Sequence, residues 1–361
     1  VAATGVLHHP RYPDIDGLES FAGPCFHSAR WDHAADTAGK RVGVIGTGST
    51  GTQIVTALSE TAALLVQFQR SAQWIMPCPD ITYTDEEKRA FRDDPSLIEE
   101  VRDGPQATAR RARFTSAIID ADSPELAEIQ AIVEKNLEDS VADPVLREKL
   151  RPDYKVACKR LVYSAHYYEA VQRPNVVLET GAIARIEAGG VRMKDGRLHE
   201  LDVLVLATGF HVDRFTRPMR IAGEGGVDLD DLWTPVPRAY YALTVPHFPN
   251  MALLNGPTGP VGNFSLIDIA ERQWAYFDQL MDHVREGRCT GIAPRMDALT
   301  RYEAERGQAA RRTVFATGCS SWYIGADGTP QVWPWSYARF CEVMDKPDLA
   351  DFALIESPQP A

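Results

Sequence analysis

Gly46, Gly48 and Gly51 stand in G-x-G-x-x-G spacing inside Lys40–Gln53, KRVGVIGTGSTGTQ. Each glycine has a chemical reason in a dinucleotide-binding turn. The first permits a tight turn, and the second lets the backbone approach a pyrophosphate. The third lets a helix pack closely on a strand, with the anion at the helix N-terminus. Val42, Val44 and Ile45 before the turn read as a strand, and Thr52 to Glu60 after it as a helix. Strand, turn and helix in that order separate a cofactor turn from an ordinary glycine-rich one. A second strand, Leu64 to Gln69, ends at Arg70 and Ser71. NAD-binding folds usually place a carboxylate there for the ribose 2′-hydroxyl. A cation instead suits the 2′-phosphate of NADP. A further cationic pair, Lys159-Arg160, follows the apolar stretch Val156, Ala157 and Cys158.

The elements that must position these groups are legible in outline. Val1–Gly5, VAATG, reads as a short strand end running into Thr4-Gly5. Pro10, Pro13, Gly17, Gly23 and Pro24 then punctuate an extended aromatic-rich linker. Between Asp85 and about Leu150, spaced apolar residues such as Leu126, Ile129, Val133 and Leu137 predict several amphipathic helices inserted in the nucleotide domain. Strands are expected at Asn175–Leu178, Ala182–Ile186 and Val191–Met193. Leu201–Phe210, LDVLVLATGF, is a buried strand ending in Thr208-Gly209, an echo of Thr4-Gly5. Ser265 caps a helix over Leu266–Val284, and helices follow at Arg295–Arg312 and near Tyr337–Met344.

Composition narrows the partners. The chain has 361 residues, enough for two domains, and is 44% hydrophobic and 24% charged, as globular proteins are. A net charge of −12 argues against non-specific nucleic-acid binding. The six cysteines are scattered with no C-x-x-C pair, which predicts reduced thiols in a cytoplasmic protein and no disulfide. Cys25, His27 and His33 fit no standard metal spacing, so no metal site is expected. No run reaches the length of a membrane span. Asn263-Phe264-Ser265 matches a glycosylation acceptor but has no secretory context.

Phe21-x-Gly23-x-x-x-His27-x-x-x-Trp31-Asp32 resembles the fingerprint of type I Baeyer–Villiger monooxygenases, and it lies just before the glycine turn as it does there. The stretches Gln69–Trp74 (QRSAQW), Cys158–Arg160 (CKR), Tyr167-Tyr168, DVLVLATGF and the late CSSWY and WPW are also similar to that family. The resemblance spans nearly the whole chain. It implies an α/β fold of two dinucleotide-binding (Rossmann-like) domains with a helical insertion. It also implies FAD and NADP(H) as cofactors, and oxygenation of a small-molecule ketone by O2 through a flavin C4a-peroxide, giving an ester or lactone. On that pattern Arg160 matches the catalytic arginine, and Lys159 joins Arg70 and Ser71 around the 2′-phosphate. Thr47, Ser49, Thr50 and Gln53 line the phosphate turn, and the fingerprint acts as a hinge. Related N- and S-oxygenating flavin enzymes carry a similar motif that usually ends in Phe or Tyr, where this chain has Trp31-Asp32.

The family has two glycine-rich turns, the first holding FAD, whereas this chain has one and begins at Val1. An FAD domain incomplete at its N-terminus is therefore expected, as is the loss of an active-site Asp. The resulting division is 1–35 as the remnant of that domain's first half plus linker, 36–206 as the NADP domain, and 207–361 as the rest of the FAD domain with substrate-side loops. An N- or S-oxygenating enzyme and an inactive NADP-binding remnant remain as alternatives. Oligomeric state is not legible.

Overall fold

The computed structural model describes residues 1–260 and 264–356, so the acceptor Asn263 lies outside the described residues. Its elements in chain order begin with β1 (Cys25–His27), β2 (Arg41–Ile45), α1 (Ser49–Leu58), β3 (Leu64–Phe68) and β4 (Ile75–Met76). The insertion follows as α2 (Asp85–Asp93), α3 (Ser96–Asp103), α4 (Pro105–Ile119), α5 (Pro124–Ser140) and α6 (Pro144–Leu150). The chain returns through β5 (Val162–Tyr163), α7 (Tyr167–Ala170) and β6 (Val176–Glu179), then β7 (Ile183–Glu187), β8 (Gly190–Met193), β9 (Leu198–Glu200) and β10 (Val203–Leu206). The remainder comprises α8 (Leu229–Leu232), α9 (Leu266–Arg285), β11 (Gly291–Pro294), α10 (Met296–Ala310), α11 (Tyr337–Asp345) and β12 (Phe352–Ile355).

A parallel sheet in the order β1-β10-β2-β3-β6 carries the nucleotide half. Its strands are apolar on both faces because both faces are covered, as parallel sheets require. Val42, Val44, Leu65, Val66, Leu204 and Val205 are all fully buried. Burying one such side chain stabilises the fold by about 1.5–3 kcal/mol. The insertion leaves after β4 and re-enters at β5, and these two strands pair parallel, Ile75 opposite Val162, closing its neck. Three of its helices begin on side-chain caps: Thr84 in a capping box for α2, Ser123 for α5 and Asp143 for α6.

Three expectations change. The segment predicted as a linker contributes strand β1, which pairs with β10, Cys25 opposite Leu204 and His27 opposite Leu206. A three-residue edge strand next to a proline has no periodicity to read. Val1–Gly5 is not a strand end but a single parallel bridge, Ala2 to Leu253. The cysteines are not all reduced: Cys158 and Cys319, separated by 161 positions along the chain, form a disulfide with Cα atoms 6.2 Å apart. Packing in three dimensions brings the pair together, and spacing along the chain cannot reveal it. The inference from reduced thiols to a cytoplasmic location goes with it. No described helix is long and apolar enough to cross a membrane.

One polar residue sits in the middle of the apolar sheet. Gln67 of β3 is fully buried, opposite Val44 of β2. Its amide nitrogen donates to the Gly46 carbonyl at 3.2 Å, and its amide oxygen accepts from the Tyr167 hydroxyl at 2.9 Å. Gln67→Leu keeps the volume but removes that partner from a buried carbonyl and a buried hydroxyl. The expected loss is about 1–3 kcal/mol per stranded group, read as a lower urea midpoint at unchanged slope.

Candidate functional site

The glycine turn lies where β2, α1 and β10 converge. Gly46 has φ +123°, a conformation that side chains disfavour. A Cβ on Gly46 would collide with the Ala207 carbonyl, and one on Gly51 with the Gly46 carbonyl. A Cβ on Gly48 would meet nothing within 4 Å, so the second glycine faces open space. Gly48 is also the N-cap of α1 and supplies no side-chain cap. The first N–H groups of α1 are thus left for an anion, where the helix dipole also favours one.

Side chains of the turn divide by role. Thr47 is buried and donates its hydroxyl to the Ser71 carbonyl at 2.7 Å, tying the turn to the end of β3. Ser49 is half-buried, while Thr50 and Gln53 are exposed on the first turn or so of α1. Thr52, buried, donates to the Thr47 carbonyl. Arg70 follows β3 directly and is exposed beside half-buried Ser71.

Lys159 comes from a distant segment into the same electrostatic neighbourhood. Burial lowers its pKa, the nearby positive charge of Arg70 lowers it further, and Asp153 opposes both. Its ammonium sits over the ring of Tyr154, 4.2 Å from the centroid. Tyr154 is itself fixed: its hydroxyl donates to Ala72 and Gln73, and its carbonyl accepts from the Trp74 indole at 2.8 Å. Among the described residues, Arg70, Lys159 and Arg160 form no ion pair with a carboxylate. Arg70 and Lys159 are thus like charges held near each other with no directly paired carboxylate, Asp153 acting on Lys159 only through its field. Arg160 is exposed; burial raises the pKa of Tyr323, and the positive charge of Arg160 opposes that rise. The backbone before this pair is constrained, since Ala157 has φ +62°.

The fingerprint residues join the linker to the end of β10. A Cβ on Gly23 would collide with the Asp202 carbonyl. Phe21 packs with Ile186 and Leu204, and Trp31 lies edge-on to Phe26 at 4.9 Å. Asp32 caps the turn by accepting from Ala34 N–H. His27 is fully buried, accepts from Ala29 N–H through Nδ1 and donates through Nε2 to the Gly209 carbonyl at 2.9 Å. Desolvation lowers its pKa, so it is a neutral clasp holding Gly209. Thr208 donates to the Arg11 carbonyl, and Thr4 to that of Phe215. Gly5 and Gly209 have φ of +66° and +84°, with no atom within 4 Å of an added Cβ. Among the described residues no cluster of three His, Cys, Asp or Glu side chains could hold a metal ion.

The structure therefore gathers the glycine turn, Arg70, Ser71 and Lys159, and sets Arg160 beside the last of these. Thr208 and Gly209 lie at the end of the strand against which Gly46 packs, and Thr4 and Gly5 join the C-terminal half. Gln67, Tyr154 and Tyr323 escape a sequence reading, because each acts through a partner remote along the chain. Only the short motif containing Tyr323, CSSWY, offered a signal.

A strand–glycine turn–helix with unpaired cations at the second strand's end defines a dinucleotide-binding oxidoreductase class. Known proteins narrow it. Residues 1–83 match the model of the flavin-binding monooxygenase-like family. The chain is 42% identical over 342 residues to an uncharacterized monooxygenase of Mycobacterium tuberculosis, covering 94% of this chain and 68% of that protein. It is 35% identical over 367 residues to a Baeyer–Villiger monooxygenase of Streptomyces coelicolor, covering 100% and 69%. Cyclohexanone monooxygenase from Rhodococcus sp. Phi1, solved with NADP+, superposes with a TM-score of 0.84 at 28% identity, over 98% of this chain and 74% of that one. The chain belongs to the flavin-binding monooxygenases of Baeyer–Villiger type, built on two dinucleotide-binding domains.

Gly51→Ala should cost about 1–3 kcal/mol by forcing backbone apart. Gly48→Ala, with open space around it, should cost no more than about 1 kcal/mol, the loss of a favourable N-cap, yet weaken dinucleotide binding. Thermal unfolding beside a dinucleotide titration checks both halves of that contrast.

Proposed function

We propose that this chain uses NADPH and FAD to insert one oxygen of O2 beside the carbonyl of a small ketone, giving an ester or lactone. The observation that carries the reading is the meeting of Arg70 and Lys159, without carboxylate partners, beside a glycine turn whose middle glycine faces open space. The turn and the N-terminus of α1, with Ser49, Thr50 and Gln53, receive the pyrophosphate of NADPH. Thr47 works by holding Ser71 in place. Arg70, Ser71 and Lys159 take the 2′-phosphate, whose charge relieves the repulsion between the two cations. Thr4-Gly5 and Thr208-Gly209, open main chain at the ends of two segments, serve the flavin side. Residues 36–206 form the NADP domain, and 1–35 with 207–361 serve FAD.

A bound flavin, when reduced by NADPH, would supply the activated oxygen. The chain's contribution is electrostatic. Arg160 presents a cation that cannot deprotonate to the negative charge that develops on oxygen as the carbonyl is attacked. The fingerprint, clasped by His27 on Gly209, couples the linker to the cofactor-bearing strand as a hinge.

Arg70→Ala should reduce the preference for NADPH over NADH about 10- to 100-fold, the loss of a charge-assisted contact worth about 1.5–3 kcal/mol. Lys159 adds a pH dependence. Its pKa in the free protein is lowered from 10.5, and the phosphate favours its protonated form. NADPH affinity should therefore fall as pH rises through that lowered pKa, below the ordinary lysine range. Lys159→Gln should flatten the profile, as isothermal titration across pH would reveal.

Arg160→Ala should lower ketone turnover about 10²- to 10³-fold with NADPH binding nearly unchanged. The deciding assay supplies the protein with FAD, NADPH and, in turn, a ketone, a thioether and an amine, and identifies products by mass spectrometry. Ester or lactone supports the proposal. Sulfoxide or N-oxide alone makes the chain an N- or S-oxygenase instead.

A further inference from the structure

Arg160 has a long, exposed side chain and no carboxylate to fix it, yet a cation that stabilises developing charge must be held in place. Its positive charge acts on the Tyr323 hydroxyl, and Tyr323 shares an apolar cluster with Cys158 and Leu161 on either side of Arg160. Tyr323 is suited to hold it. The residue is 2% exposed, its ring packs at 4.5 Å on Phe315 and 4.2 Å on Trp322, and its carbonyl accepts from Gln331 N–H at 2.7 Å. Behind it, Arg306, also 2% exposed, donates to the carbonyls of Pro330 and Val332 and pairs with Glu303 at 2.8 Å. The tyrosine thus rests on a fixed wall.

The two segments are also joined covalently. Cys158 lies two residues before Arg160 and Cys319 four before Tyr323, and they form the disulfide. Both segments share one apolar cluster with insertion helices α4 and α5: Ile118, Leu126 and Val133 pack with Cys158, Val314 and Tyr323. The covalent bond and the shared cluster hold the segment of Arg160 against the segment of Tyr323, whose hydroxyl feels the Arg160 charge.

We propose that Tyr323 is a positioning residue for Arg160, and that the Cys158–Cys319 bond holds the two segments in the register this interaction needs. The proposal rests on the assignment of Arg160 above. Reduction by a dithiol transfers two electrons and two protons to the two sulfurs, breaks the S–S bond, and leaves the dithiol oxidised to its cyclic disulfide. The two segments are then held by the shared cluster without the covalent bond.

The test compares Tyr323→Phe, Cys319→Ser and Arg160→Ala in the protein supplied with FAD and NADPH. Thiol titration of the denatured protein should find four free cysteines before reduction, Cys25, Cys78, Cys289 and Cys341, and six after. Tyr323→Phe should lower kcat with a ketone about 10- to 100-fold, as expected for a misplaced group, with KM for NADPH unchanged within about twofold. Hydrogen exchange by mass spectrometry, which needs no turnover, should quicken over 158–163 in Tyr323→Phe and over both 158–163 and 319–324 in Cys319→Ser. Unchanged exchange in both variants, or six free thiols before reduction, overturns the proposal. An inactive Arg160→Ala beside a fully active Tyr323→Phe overturns the positioning role and leaves Arg160 standing. A fully active Arg160→Ala overturns the assignment beneath it.

Discussion

The structure depends on a place where main chain meets main chain without side chains between. At Gly46 the turn from β2 passes against the Ala207 carbonyl, and Gly51 of α1 packs against Gly46 in turn. Van der Waals repulsion there leaves no room for a methyl group, so the angle of α1 to the sheet is set by glycine alone. That angle aims the uncapped end of α1 at open space beside Gly48. Gln67 fixes the same turn from inside the sheet through the Gly46 carbonyl, and Thr47 fixes it from outside through Ser71. Three contacts on one loop hold the phosphate-facing backbone before any ligand arrives.

Around that rigid frame the charges are deliberately unbalanced. Most described arginines lean on a carboxylate, as Arg41 does on Asp202 at 2.7 Å, which drops the Asp202 carboxyl to about 2. Arg70, Lys159 and Arg160 do not. Lys159 sits over a ring, and burial lowers its pKa, with Asp153 opposing and Arg70 adding to the shift. Positive charge is thus left over at the end of β3, beside the turn that Gly46 and Gly51 shape.

Local features were legible in the sequence, and non-local ones were not. The glycine turn, Arg70 after the second strand, and the amphipathic helices between Asp85 and Leu150 declare themselves through spacing and periodicity. Strand β10, Val203–Leu206, did as well inside the longer expected run Leu201–Phe210, because a strand buried on both faces is a continuous apolar run. Strand β1 is too short to have a period, and β9 was hidden by its mixed Leu-His-Glu composition. The site shows the same division. Lys159 and Arg160 stood out through the family motif. Tyr154 and Tyr323, which hold them, and the Cys158–Cys319 bond depend on packing that no short window contains. Gln67, a polar residue within the strand Leu64–Gln69, is its polar anchor, a role its two partners and not its position reveal.

The order of the sheet has a consequence for how the chain acquires its shape. Among the described residues strand β1 pairs with β10 alone, and β3 pairs with β6 only after the whole insertion has intervened. During synthesis, residues 25–27 must therefore wait for residues 203–206 before their main-chain groups find partners. The β2–α1–β3 unit can form early from near neighbours, but the edges of its sheet stay open until distant segments arrive. Loop closure of that length slows folding and leaves strand edges exposed meanwhile. The geometry that completes the nucleotide site is thus also what makes this half of the chain slow to assemble, and its most vulnerable moment is the wait for β10.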